Sequence, residues 1–190
     1  MYALADVAIR FRRLSQKDAD WLRSFMQAHY PPAYDYLWTD AGLDYIAKTY
    51  SREALTQEFA DPAARAYQIL VDGCAEGFCR LVDQQRSPDA AAVTPACYLQ
   101  RLYLSSACQG RGLGEQILAR LIEDARARGW AALWLETMQV GRARHFYERA
   151  GFQMIGRKTL VAAKLRQGMA AMEVRQLLLD PGTGAEKRLN

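Results

Sequence analysis

The stretch QGRGLG, Gln109–Gly114, lies between the apolar run CYLQRLYL (Cys97–Leu104) and the periodic segment EQILARLIEDARARG (Glu115–Gly129). Its glycines recur at every second position, after a segment that reads as a strand and before one that reads as a helix. Successive backbone N–H groups ahead of a helix N-terminus form a concavity for anions. Glycines at 112 and 114 let the backbone approach a pyrophosphate where a side chain would collide, and Arg111 adds a cation. A dinucleotide fingerprint needs G-x-G-x-x-G beside the first strand, and a Walker loop needs G-K-[ST]. Neither pattern is present.

Working outward, VAIRFRR (Val7–Arg13) alternates apolar and polar residues and reads as a first strand. Ser15 offers an N-cap with Asp18 three residues on, and Leu22, Phe25, Met26 and His29 follow at helical spacing until YPP (Tyr30–Pro32) stops the helix. A second helical region carries Leu43, Ile46, Ala47 and Tyr50 on one stripe, and Ser51 caps its later part. Next come AYQILVD and GFCRLVD, a hairpin around GCAE, and a surface loop QQRSPDAAAVTPA. Beyond CYLQRLYL and the glycine loop, the next helix aligns Leu113, Ile117, Leu118, Leu121, Ile122 and Ala125 and ends at Gly129. AALWLET is a strand. GRARHFYERAG is a short helix with Ala143, Phe146, Tyr147 and Ala150 on one stripe, and FQMIGRK and MAAMEVRQLL complete the sheet. The order is strand, two helices, three strands, helix, strand, helix, two strands, an α+β class.

With 190 residues, 51% of them hydrophobic and 24% charged, the chain fits one domain with a sizeable core. That domain is expected over residues 1–180, with 181–190 as a flexible tail. A net charge of +4 allows acidic ligands, but no Lys/Arg run is dense enough for a nucleic-acid face. The first ten residues carry no basic-then-apolar leader, and no apolar run approaches the roughly 20 residues a membrane span needs. A cytoplasmic location without a membrane partner is expected. Four cysteines and two histidines show no zinc spacing, so no metal is expected. Cys108 sits beside the glycine loop with no histidine in a recognisable partner position, and reads as a small buried or semi-exposed thiol.

Gln109-x-x-Gly112-x-Gly114 resembles the Q/R-x-x-G-x-G/A acyl-CoA signature of the GNAT superfamily (Gcn5-related N-acetyltransferases). RHFYERAGF (Arg144–Phe152) resembles that family's second landmark, the FYxxxGF helix, and the strand order agrees over about residues 7–178. The helical region from Tyr34 onward is similar to that of bacterial spermidine/spermine acetyltransferase-like members. The resemblance implies an αβα sandwich of the acyl-CoA N-acyltransferase kind, with a central mixed, mostly antiparallel sheet. It implies acetyl-CoA as cosubstrate, no metal, and direct transfer of acetyl to a primary amine of a small molecule in a ternary complex. GNAT-fold proteins often pair, so a homodimer is a possible assembly.

By resemblance, the pyrophosphate falls to Gln109, Gly110, Arg111, Gly112, Leu113 and Gly114, and the thioester carbonyl to backbone N–H groups of RLYL, in the span Leu102, Tyr103, Leu104. Tyr147, the family's helix tyrosine, would return a proton to the departing thiolate. Many relatives place a glutamate in the strand before the glycine loop as base. Gln100 stands there, able to order a water or hydrogen-bond the amine but not to keep its proton. The base is therefore open between bulk water, a remote carboxylate such as Glu136, and another acceptor. Val140 replaces an asparagine that contacts the cofactor in many relatives. The segment Phe152–Leu178 carries Arg157, Lys158, Lys164, Arg166 and Arg175 against Glu173, which disfavours a polyamine unless those charges face solvent. Asp35, Asp40 and Asp44 are a second source of acidic recognition. Two other readings stand beside this one: a protein N-terminal or lysine acetyltransferase, and an acyl-CoA-binding module without catalysis.

Overall fold

One seven-stranded sheet organises the chain, in the order β1-β2-β3-β4-β5-β7-β6. Its strands are β1 Ile9–Arg13, β2 Ala64–Val71, β3 Cys74–Val82, β4 Ala96–Leu104, β5 Ala132–Met138, β6 Gln153–Thr159 and β7 Ala171–Leu178. Among the described residues five α-helices cover it: α1 Ala19–Tyr34, α2 Leu43–Thr49, α3 Arg52–Ala60, α4 Leu113–Ala127 and α5 Arg142–Arg149. The structure is a computed structural model and describes residues 7–87, 89, 91–179 and 189. Only β4 and β5 pair in parallel, joined by α4; every other pair is antiparallel. The expected α+β sandwich with a mixed, mostly antiparallel sheet is therefore present.

Two cores result, one on each face. Under α4 and α5, Leu113, Ile117, Leu118, Leu121 and Ala125 pack on Ile69, Leu81, Cys97, Leu99 and Leu133. Each large aliphatic side chain buried this way contributes about 1.5–3 kcal/mol. Under α1–α3, Leu22, Phe25, Met26, Ile46, Tyr50 and Leu55 pack on Ala66 and Phe78. The caps are as expected: Asp18 accepts the Ser15 backbone N–H at 2.9 Å, and the Ser51 hydroxyl accepts from Ala54 N–H at 3.1 Å.

Three local expectations are corrected. Helix α1 runs through Pro31 and Pro32 to Tyr34. Proline lacks a donor but keeps its carbonyl, and Pro31 O accepts from Asp35 N–H while Tyr30 and Tyr34 stack at 4.6 Å. The hairpin turns at Asp72-Gly73, both with positive φ (51° and 85°), and Cys74 and Glu76 already belong to β3. Asp-Gly suits a type I′ turn, whose twist matches that of the strands. On α2, Leu43 and Ala47 are exposed, because Tyr45 and Ile46 supply the inward face. Of the tail, only Leu189 is described, and it is held: its N–H donates to Asp124 at 3.0 Å and its side chain packs against the core. The rest of the expected tail lies outside the described residues.

Two irregularities in β4 position the site. It pairs with β5 only over Ala96–Tyr98, so beyond Tyr98 and Trp134 the strands separate into a wedge. Against β3, Arg80 faces Arg101 while Leu81 faces Leu99, which leaves Gln100 as an extra residue in a β-bulge. One extra residue flips the alternation of side chains. Cys97 and Leu99 face α4 before the bulge, Leu102 and Leu104 do so after it, and Tyr103 turns to the α1–α3 face.

Candidate active site

A cavity of about 910 Å³ opens between the end of β4, the N-terminus of α4 and one face of α5. Leu102, Leu104, Gln109, Gly110, Gly112, Gly114 and Tyr147 all line it, so the structure brings most of the sequence-predicted cofactor residues together. Gly110 and Gly112 have φ of +69° and +68°, and a Cβ on either would meet no protein atom within 4 Å. Their bareness keeps the left-handed turn unstrained and the cavity wall low. Gly112 caps α4 without a side-chain hydrogen bond, so the first N–H groups of the helix are left for an anion. Gly114 has another role. A Cβ there would come within 3.3 Å of the Phe146 ring, so this glycine lets α5 approach α4.

Not every predicted side chain lines the cavity. Leu113 turns its side chain into the core at 1% exposure and offers only its backbone N–H, the first of α4. Arg111 turns away to donate to Ala107 O at 3.3 Å. The cations that do line the cavity are Arg142 and Arg149 of α5, with His145 between them, and sequence reasoning missed all three. Their i, i+3, i+7 spacing opposite the apolar stripe was the available signal. Cys108 also lines the cavity, and burial pushes its thiol up, which suits an inert thiol rather than a nucleophile.

Backbone geometry supports the carbonyl-binding role of β4. Ser105 N–H donates to Glu76 O at 2.8 Å, making that pair hydrogen-bonded across β3 and β4. Alternation then makes Gly77–Leu104 and Cys79–Leu102 non-hydrogen-bonded pairs. The N–H groups of Leu102 and Leu104 therefore face away from β3, into the wedge. Tyr103 N–H faces β3, and its side chain leaves the cofactor cavity for the opposite face.

Tyr147 is 9% exposed and packs edge-on to Phe146 and Phe152. No other described residue hydrogen-bonds its hydroxyl. Burial raises its pKa, with a smaller push from Tyr34, so the phenol stays protonated throughout the neutral range.

A second cavity, of about 280 Å³, lies on the α1–α3 side of the wedge and shares Tyr34, Leu102, Ala143 and Tyr147 with the first. Gln100 lines it, but its Oε1 is taken by Arg80. Arg80 also pairs with Glu58 and Asp61 at 3.1 Å, and Glu58 holds Arg101 at 2.7 Å through both oxygens. This buried network pins the bulge and leaves Gln100 its amide donors. Glu136 of β5 faces the same cavity, held by Lys158 at 2.8 Å and by the Tyr98 hydroxyl at 3.2 Å. Val140 is part of this wall too, packed with the α1–α3 cluster. Of the cations counted over Phe152–Leu178, Arg157, Lys164 and Arg166 are exposed, and Arg175 is buried between Glu173 and Glu148. Asp40 is spent on the N–H groups of Gly42 and Asp44, and Asp44 pairs with Lys48. None of these charges lines the second cavity.

A glycine-turned helix N-terminus opening onto a split between a parallel strand pair defines an acyl-CoA site. The profile of the Acetyltransferase (GNAT) family matches residues 21–152, and the chain belongs to that family. It is an acyltransferase whose acetyl donor is acetyl-CoA. Among curated proteins it is 29% identical over 126 residues to an uncharacterized N-acetyltransferase of Lactobacillus delbrueckii subsp. lactis, covering 65% of this chain and 71% of that one. In fold it matches a PaiA N-acetyltransferase from Thermoplasma acidophilum in complex with coenzyme A (TM-score 0.67, 18% identity, 90% of this chain and 99% of that one). It also matches a spermidine N-acetyltransferase SpeG from Vibrio cholerae (TM-score 0.61, 13% identity, 90% and 93%). Among the described residues no helix is long and apolar enough to cross a membrane, and no group of His, Cys, Asp and Glu is arranged to hold a metal.

Proposed function

We propose that the protein transfers acetyl from acetyl-CoA to the primary amine of a small molecule, directly, in a ternary complex. The observation that carries this reading is the meeting of two cavities at Tyr34, Leu102, Ala143 and Tyr147 inside the β4–β5 wedge. One fits the cofactor: bare glycine turns and an uncapped helix end face the pyrophosphate, with Arg142 and Arg149 beside them. The other is small and enclosed by α1 and α2, which suits a small acceptor better than a peptide.

The amine nitrogen attacks the thioester carbonyl carbon, and charge gathering on its oxygen is met by the N–H of Leu102 or Leu104. The carbon–sulfur bond breaks, the thiolate takes the Tyr147 proton, and the proton that the nitrogen sheds as the amide forms returns to the phenolate. Before attack the ammonium must lose a proton. At a pKa near 10.4 only about one part in 10³ is neutral at pH 7, a deficit of roughly 4–5 kcal/mol. Gln100, fixed through Arg80, orients the amine or a water; Glu136 is the carboxylate in reach of that cavity.

A thiol-release assay with acetyl-CoA against polyamines, amino acids, aminoglycosides and peptides tests the reading. Turnover on a small amine supports it. Turnover on peptides alone replaces it with protein acetylation, and saturable acetyl-CoA binding without any turnover leaves only a binding module.

A further inference from the structure

The wall of the second cavity has a composition that acetyl transfer alone does not require. Tyr30 and Tyr34 of α1, Tyr36 and Trp38 after it, Tyr45 of α2 and Tyr103 of β4 surround it. They form a continuous box: Tyr30 stacks on Tyr34 at 4.6 Å and on Tyr45 at 5.0 Å, Trp38 stacks on Tyr45 at 5.6 Å, and Tyr103 meets Tyr34 edge-on at 5.8 Å. The polar ends are largely used up within the box. Trp38 Nε1 donates to Tyr30 Oη at 3.0 Å, and the hydroxyls of Tyr45 and Tyr103 lie 3.5 Å apart. A guest therefore meets ring faces and edges, with Leu160 and Met172 closing the far side.

Charge is scarce by comparison. Arg101 reaches the cavity but is neutralised by both oxygens of Glu58. Glu136 is the only carboxylate among the described lining residues, and Lys158 already holds both its oxygens. One ammonium can share that carboxylate and lean on a ring face. A second or third ammonium would be desolvated with no partner, a penalty that ring faces do not return. A carboxylated acceptor would place an anion against Glu136 with no unpaired cation in the wall. At about 280 Å³ the space is at the small end for ligand pockets.

We propose that the acceptor is an aralkyl monoamine: a single primary amine, shared with Glu136 at the wedge, on a short apolar arm whose aromatic ring lies within the tyrosine box. This rests on the acetyl-transfer reading above and names its substrate class. Tyrosine walls suit such a guest because edge-to-face and offset packing reward an aromatic ring over an alkyl chain of equal area.

The experiment has two arms. Calorimetry measures acetyl-CoA binding alone; thiol release then compares 2-phenylethylamine, tyramine and tryptamine with n-butylamine, spermidine and phenylalanine. The proposal expects kcat/KM for the aralkyl amines at least tenfold above each of the others. Tyr45→Leu keeps an apolar wall of similar breadth, and should raise KM for the aralkyl amines about fivefold or more while acetyl-CoA affinity and Tm hold. Glu136→Gln should lower kcat/KM for every amine. Preference for spermidine, n-butylamine or phenylalanine overturns the aralkyl class and leaves acetyl transfer standing. An unchanged aralkyl KM in a folded Tyr45→Leu protein overturns the tyrosine box as the recognition element. Acetyl-CoA binding with no turnover of any amine overturns both readings.

Discussion

The cofactor-side cavity is walled largely by backbone and by helix ends, whereas the acceptor-side cavity is walled by aromatic side chains from three helical stretches and a strand. A backbone-built site tolerates exchange of most side chains but not of the glycines that shape it. A side-chain-built site behaves oppositely: its backbone is ordinary, and its selectivity resides in ring placement and in one shared carboxylate. The two meet at β4, so disturbing that strand should damage both, and disturbing either wall should damage one.

The severest way to erase the distinction is Arg80→Met, which leaves Glu58, Asp61 and Gln100 without their common buried partner. Removing one member of such a network costs about 3–5 kcal/mol. A lower midpoint in denaturant, with both acetyl-CoA affinity and turnover reduced, is the expected result; loss of turnover alone would mean that the network does not hold the bulge. Tyr147→Phe is more selective. The ring and its packing remain, so acetyl-CoA affinity and stability should persist while kcat falls about 100-fold, as for loss of a general acid. An unchanged kcat removes Tyr147 from the proton path.

Gly112→Val confines the damage to the cofactor side. A β-branched residue at φ +68° costs about 1–2 kcal/mol of stability and projects into the cavity. Acetyl-CoA should bind at least tenfold more weakly, measured by calorimetry, with the fluorescence of the tyrosine box unaltered. The gentlest probe is pH. Burial raises the pKa of Tyr30, Tyr34, Tyr103 and Tyr147 above the ordinary value near 10. The folded state thus keeps protons that the unfolded state releases, so the contribution of these rings is intact below about pH 10 and declines above it. Burial raises the thiols of Cys79, Cys97 and Cys108 in the same sense, and unfolded thiols ionise near pH 8.5, so thermal midpoints should begin to fall above about pH 8.5 and fall more steeply beyond pH 10. A decline already complete by pH 9 would contradict the burial of these rings.

What the sequence disclosed follows the same division. Gly110, Gly112 and Tyr147 were legible because the physics that places them is local: a glycine turn, a helix start, an apolar stripe on α5. The same locality made the α4 stripe and the Ser15 and Ser51 caps readable. Tyr103 was assigned to the cofactor because a strand read without its partner shows no bulge; the extra residue at Gln100 becomes visible only in the pairing of β4 with β3. Arg111 adjoins the glycines in sequence and Arg142 and Arg149 do not, yet a loop side chain is free to turn away while a helix face is not. The tyrosine box gave no signal at all. Its members are scattered from residue 30 to residue 103, and each alone reads as core.

The bulge at Gln100 also sets how the length of β4 is constrained. Elsewhere in the strand a substitution alters one contact with one ligand. Deleting one residue at the bulge would instead shift the parity of everything downstream, sending Tyr103 toward acetyl-CoA and Leu102 and Leu104 toward the amine. An insertion or deletion there exchanges the walls of two ligands in a single genetic event. This short piece of β4 is thus far more tolerant of changed letters than of a changed count.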